Sequence, residues 1–323
     1  MPIIKPAYKI SGIFKNGHFA TIYSAKIRRV LGVKQFRERI DLADGDFIDV
    51  DWSFAQGERA SRKVCVLLHG LEGNAQRPYM LGQVKILNQN GFDCACVNLR
   101  GCSGEVNRAY RSYHSGATGD LAEILDFFAS EKTYTEYYLC GFSLGGNLIL
   151  KYMGEDRKLP QQLRAAAAIS APVHLYGSLT SLSARQNWVY RWNFLKDLRR
   201  KYRGKIDYYP DQMSHADLQK IKSLQLFDEL YTAPANGFED AMEYYSQSSS
   251  LPLLKNINLP TFLLNARNDS FLDAACYPFR EAYDSKTLHL EIPKYGGHVG
   301  FYSAGAFYYS ERRTLKFFKE KRL

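Results

Sequence analysis

No stretch of this chain approaches the ~18 consecutive apolar residues that a membrane-spanning helix needs. Its opening, Met-Pro-Ile-Ile-Lys-Pro, lacks the apolar core of a secretory signal. Neither spanning nor export is expected, and a cytoplasmic location is. Cysteine is scarce, six in 323 residues. Cys94-Ala-Cys96 is a single C-x-C with no second pair, a poor zinc signal. Cys65, Cys94, Cys96 and Cys140 fall in apolar runs where a thiol behaves as a small core residue, so all six read as reduced and unpaired. Internal repeats, low-complexity tracts and nucleic-acid-binding motifs are also missing, so no nucleic-acid partner is expected.

What remains is ordinary globular composition, 46% hydrophobic and 24% charged, with a formal net charge of +10. The densest basic stretch, residues 196–205, reads first as a solvated helix face. It also allows peripheral contact with anionic lipid or an acidic substrate.

The hydrophobic pattern alternates strands with helices. Two short strands, 39–42 and 47–52, flank Ala43-Asp44-Gly45, a tight hairpin turn. Continuous apolar runs at 64–69, 93–98, 137–142 and 165–170 suit parallel strands covered on both faces, with helices over 79–89 and 120–130 between them. Strands return at 260–265 and 287–292, and a last helix over 305–319 turns Phe307, Leu315 and Phe318 to the core. Between lies a stretch rich in Trp, Tyr, Arg and Lys, helical in character and without strand runs. The expectation is an α/β fold: a mostly parallel sheet of about eight strands, helices on both faces, and a helical cap inserted over one edge. Residues 1–171 and 251–323 form the core, with an N-terminal extension at 1–35, and residues 172–250 form the cap.

Chemistry enters at Gly141-Phe-Ser-Leu-Gly145, a G-x-S-x-G pattern that arises by chance in roughly one chain in ten of this length. Its context is what makes it informative. An apolar strand precedes it and the helix formers Leu148-Ile-Leu-Lys-Tyr-Met153 follow, as required of the turn that lifts a serine off a strand end. A serine hydroxyl needs a base, and the base needs an orienting acid, in the chain order Ser, Asp or Glu, His, each just past a strand end. Asp269 follows the strand 260–265 closely and is favoured over Asp273, four residues further on. His298 lies in a glycine-flanked loop after the strand 287–292. The other histidines (18, 69, 114, 174, 215 and 289) either precede Ser143 or fall away from a late strand end. The bland readings are a helix-capping Ser143, an Asx-turn Asp269 and an ordinary loop histidine at 298. An oxyanion hole would take the backbone N–H of Leu144 and, from the glycine-bracketed loop His69-Gly-Leu-Glu-Gly-Asn74, that of Leu71. The aromatics Trp188, Tyr190, Trp192 and Phe194 suit an apolar acyl pocket or the core equally.

The block His69–Asn74 is one of several. Asn98-Leu-Arg-Gly-Cys-Ser-Gly104 with Asn107, Tyr113-His-Ser-Gly116, Gly141–Asn147, Gly296-Gly-His-Val-Gly-Phe301 and the early Asn16-Gly-His-Phe-Ala-Thr21 accompany it in order. Together they resemble the AB hydrolase 4 family of α/β-hydrolases, which includes bacterial YheT-like esterases. The resemblance spans nearly the whole chain and implies a serine hydrolase acting on carboxylic or lipid acyl esters. It gives Ser143, Asp269 and His298 the triad roles, with Arg100 and Asn107 bracing a nearby loop. Ser270, where the family often has proline, and Tyr295, where it often has histidine, alter loop shape. The cap matches least, and substrate choice is expected there. Such a mechanism needs no metal or organic cofactor. The rivals are an idle lipid- or small-ligand-binding protein on the same fold, and an acyltransferase or thioesterase using the same three side chains.

Overall fold

In the computed structural model, which describes residues 2–57 and 61–321, the alternation of strand and helix builds one nine-stranded sheet. The strands are β1 (Ile3–Ile4), β2 (Phe36–Asp41), β3 (Phe47–Ser53), β4 (Lys63–Leu68), β5 (Asp93–Asn98), β6 (Glu136–Phe142), β7 (Leu163–Ile169), β8 (Thr261–Leu264) and β9 (Leu288–Glu291). Their order across the sheet is β1-β9-β8-β7-β6-β4-β5-β3-β2. Only β2 with β3 and β3 with β5 pair antiparallel; the rest is parallel. The apolar runs are continuous because the pleat sends alternate residues to two cores. Val64, Val66 and Leu68 join one face, while Cys65 and Leu67 join the other with Cys94, Cys96 and Cys140.

The helices are α1 (Gly17–Ile22), α2 (Pro78–Asn88), α3 (Thr118–Glu131) and α4 (Leu144–Gly154), then α5 (Leu175–Ser183) and α6 (Trp188–Arg203). After them come α7 (His215–Lys220), α8 (Leu224–Phe227), α9 (Ala233–Ala235), α10 (Ala241–Ser248), α11 (Phe279–Asp284) and α12 (Tyr309–Glu320). Those from α5 to α10 fill the interval between β7 and β8, where the described residues contain no strand. They carry an apolar cluster of their own around Leu198, Tyr202, Ile221 and Phe227. Two buried asparagines pin the ends of this insertion, one just past β8 and the other on α4. Asn265 Nδ2 donates to the Ala171 carbonyl and its Oδ1 accepts from the Ala171 N–H. Asn147 Nδ2 donates to the Ser248 carbonyl and its Oδ1 accepts from the Ser250 N–H.

The sheet agrees with the expected count of about eight strands to within one, while the start of the last helix needs correction. The sheet has nine strands because Ile3–Ile4 runs parallel to β9, a two-residue pairing too short to leave a periodic signal. The last helix starts at Tyr309, four residues late, because Gly305 sits at φ +99° and the first helical N–H groups are met only where Glu311 reaches back to the Tyr308 N–H. Phe307 therefore precedes the helix, and Tyr309, Phe317 and Phe318 are its buried aromatics. Among the described residues no helix is long and apolar enough to cross a membrane.

Candidate active site

Ser143 stands between β6 and α4 at φ 52°, ψ −120°, a backbone state that costs a residue with a Cβ of order 1–3 kcal/mol. The flanking glycines make room for it. A Cβ on Gly141 would lie 2.2 Å from the Gly145 carbonyl oxygen, and one on Gly145 would lie 2.6 Å from the carbonyl oxygens of Leu68 and His69. The turn is tied to the next strand by the Ser143 N–H donating to Ile169 at 2.9 Å.

The loops after β8 and β9 bring two further groups to this serine. His298 Nε2 lies 2.8 Å from Ser143 Oγ, and its Nδ1 lies 2.8 Å from Asp269 Oδ2. Asp269 is 3% exposed, and its other oxygen accepts the Phe271 N–H at 3.0 Å. The ring of Phe271 stacks on the imidazole, centroids 4.2 Å apart. The His298 N–H donates to Thr21 Oγ1 at 2.8 Å, and the next N–H, of Val299, to Ser170 Oγ at 2.9 Å. So the imidazole is held from its ring, its face and its backbone. Asp273 does not reach it; its Oδ2 pairs instead with His174 Nδ1 at 3.0 Å.

The loop after β4 packs directly on the serine, where a Cβ on Gly70 would stand 3.0 Å from Ser143 Cβ. His69 is buried and doubly engaged: Nε2 accepts the Leu99 N–H at 3.1 Å, and Nδ1 meets the Gly70 carbonyl at 2.7 Å. That pattern fits one neutral tautomer, and burial holds its pKa down at about 3. His69 therefore shapes the loop. Leu71 and Leu144 both border the space above Ser143 and His298. The Leu144 N–H is the first of α4, where intrahelical acceptors are absent. After Leu71 the chain turns through Glu72 at φ 52°, and the Glu72 carboxylate accepts from Tyr113 OH at 2.7 Å and from Lys201 Nζ, on α6, at 2.9 Å.

Two cavities meet at the serine. One, about 150 Å³, runs under the helical insertion among Leu175, Leu179, Leu182, Leu224 and Phe227. The other, about 260 Å³, opens between α6 and the segment after α1, with Ile22, Lys26, Arg77 and Trp192 on its walls. Ser143, His298, Leu71, Phe194 and Phe271 border both. Chemically, a hydroxyl, an imidazole and a buried carboxylate in one hydrogen-bonded line can pass a proton and make an alcohol nucleophilic. Among the described residues no cluster of three His, Cys, Asp or Glu side chains could hold a metal ion. Burial pushes the Cys65, Cys94, Cys96 and Cys140 thiols up, away from reactivity.

Arg100, 1% exposed, donates to Asp120 twice at 2.8 Å and to Asp44 and Asp46 at 2.8 and 2.7 Å, while Asn107 Nδ2 donates to Asp46 at 2.6 Å. These bonds brace the 99–117 loop that carries Tyr113 to the site. Thr21, Ser170, Phe271 and Lys201 escaped the sequence reading. Thr21 lies in the block Asn16–Thr21 and Lys201 in the basic stretch 196–205, but nothing local says that they meet residues 298 and 72.

Comparison with known proteins bears on the family and the fold. The family model described as alpha/beta hydrolase fold matches residues 63–304. The protein named "Putative esterase YheT" of Escherichia coli K12 is 33% identical over 89% of this chain and 85% of its own length. Human phospholipase ABHD3 is 28% identical over 93% of this chain and 75% of its own. Among solved structures, the Pyrococcus furiosus esterase Pf2001 superposes with a TM-score of 0.57 at 16% identity, covering 91% of this chain and 97% of that one.

Proposed function

The chain belongs to the alpha/beta hydrolase fold family, and on that footing we propose that it cleaves carboxylic esters through an acyl-enzyme on Ser143. His298 takes the serine proton as Oγ attacks the ester carbonyl, then returns it to the departing alcohol. Asp269 keeps Nδ1 protonated and stabilises the imidazolium. The N–H groups of Leu71 and Leu144 receive the oxyanion of the tetrahedral intermediate. A water activated by the same imidazole then releases the acid. We assign the apolar cavity under the insertion to the acyl chain and the second cavity to the alcohol. Residues 172–250 act as the cap, over the core formed by 1–171 and 251–323. The names of the relatives, an esterase and a phospholipase, favour a small-molecule or lipid ester as substrate.

The observation that carries this reading is the unbroken line from Ser143 through His298 to Asp269, 2.8 Å at each step. Ser143→Ala is expected to remove turnover of p-nitrophenyl butyrate by on the order of 10⁶-fold in kcat, with the fold retained by circular dichroism. A fluorophosphonate probe should label wild type at Ser143 and leave the variant unlabelled. A folded variant that still turns the ester over at the wild-type rate refutes the assignment.

A further inference from the structure

The four aromatics at the start of α6 part company. Tyr190 and Phe194 turn inward, both against Phe271. Trp188 and Trp192, one helical turn apart on the opposite stripe, are 61% and 59% exposed. Val189 and Ile22 are exposed beside them. Ile22, Val189 and Trp192 are also walls of the second cavity, so this apolar patch is the rim of a mouth that leads to Ser143. Large apolar rings left in water at the entrance of a site call for a partner that covers them.

The surroundings say which partner. Lys26 stands exposed on the same rim. Lys196 holds its ammonium 5.2 Å over the Trp192 ring, and Trp192 also lines the cleft that continues through Lys196, Arg199 and Arg203. Lys26, Lys196 and Arg203 have no ion-pair partner among the described residues. Indole rings flanked by unpaired cations match the interfacial layer of an anionic bilayer, where the ring sits among headgroups and each ammonium meets a phosphate. A second copy of the chain suits the face poorly, because a symmetric contact would set cation against cation.

We propose that the Trp188–Trp192 face of α6, with Ile22 and Lys26, docks on an anionic lipid surface so that the second cavity opens into the headgroup layer. The inference deepens the ester reading and rests on it only for the direction in which substrate enters. The test is co-sedimentation of the full chain with phosphatidylcholine vesicles, with and without phosphatidylglycerol. Binding is expected with phosphatidylglycerol, weakened by salt, and near absent with phosphatidylcholine alone. At about 1 kcal/mol per cation near the surface, roughly fivefold in partition, Lys196→Glu with Arg203→Glu should weaken it by an order of magnitude or more. Trp188→Ser should weaken it as well. All of these variants should keep wild-type turnover of p-nitrophenyl acetate in solution. Absence of vesicle binding, binding indifferent to these variants, or a wild-type dimer that they dissolve overturns the proposal. Fluorophosphonate labelling of Ser143 in the same samples separates the two failures: labelling without vesicle binding sinks the docking face alone.

Discussion

At the scale of residues, the two aspartates after β8 give the sharpest test of the proposed chemistry. Asp269 touches the imidazole and Asp273 touches His174, although only three positions separate them in the chain. Asp269→Asn is expected to lower kcat on p-nitrophenyl butyrate by on the order of 10⁴-fold, because an amide that donates toward Nδ1 favours the wrong tautomer. Asp273→Asn should stay within about twofold of wild type, since its carboxylate meets half-exposed His174 and the Cys276 thiol and lies outside the line from Ser143 to Asp269. Equal losses in the two variants would mean that the acid is misassigned. The same residues show what a sequence can disclose. Ser143, Asp269 and His298 each stand just past a strand end, with glycines or a polar turn beside them, so a local rule picks out all three. Thr21 holds the backbone N–H of His298 and Phe271 its ring, from 277 and 27 positions away, and no local pattern announces a contact of that kind. Long-range contacts are set by the packing of whole elements.

Helix α6 shows the same division between elements. Residues 196–205 read as a solvated face, and half of that holds: Lys196, Arg200 and Arg203 are exposed. Lys201 and Lys205 turn inward, the latter 3% exposed and donating to the carbonyls of Ala109, Tyr110 and Arg111. A run of like charges does not reveal which members meet carbonyls or carboxylates, because the acceptors lie a hundred residues away. Lys201 has the greater consequence. Its ammonium bonds the Glu72 carboxylate at 2.9 Å and lies 5.1 Å over the Tyr113 ring, so α6 grips the residue that follows Leu71. Lys201 is a positioning residue for the proposed oxyanion loop. A double-mutant cycle of Lys201→Met and Glu72→Gln, followed by urea unfolding, should return a coupling of about 1–3 kcal/mol. In the single Lys201 variant kcat should fall more than KM rises, because the loop contact matters most when the oxyanion forms. Coupling near zero, or a pure KM effect, would show that the pair is only packing.

For the molecule as a whole, the buried titratable groups set how stability responds to acid, and two kinds oppose each other. His69, His114 and His289 are held neutral by burial, with pKa values down at about 3, about 4 and about 4 from an ordinary 6.5. A histidine depressed in the fold contributes stability that is complete above 6.5 and drains away as pH falls toward 4, because the unfolded chain binds the proton first. Asp228, on the wall of the apolar cavity, is pushed up by burial from 3.8 to about 6 despite bonds from Thr232 and Tyr245. Its contribution runs the other way: complete below 3.8, lost as pH rises through 6. Near pH 5 three protons on the unfolded chain stand against one on the folded chain, a net of about two. Stability should therefore fall by roughly 2 kcal/mol per pH unit between pH 6 and pH 4. The Asp44 and Asp46 carboxyls add little above pH 5: bonds from Arg111 and Arg100 to the first, and from Asn107 and Arg100 to the second, outweigh burial and hold both below 3.8, so their contribution drains away only as pH falls to about 4 and lower. Urea unfolding across the range measures the slope directly. His114→Gln should flatten it and Asp228→Asn should steepen it, the latter variant also gaining stability at pH 7, where wild type carries a buried carboxylate charge. If Asp228→Asn left the slope unchanged and lost stability at pH 7, the cavity wall would not be the low-dielectric environment that an acyl chain requires.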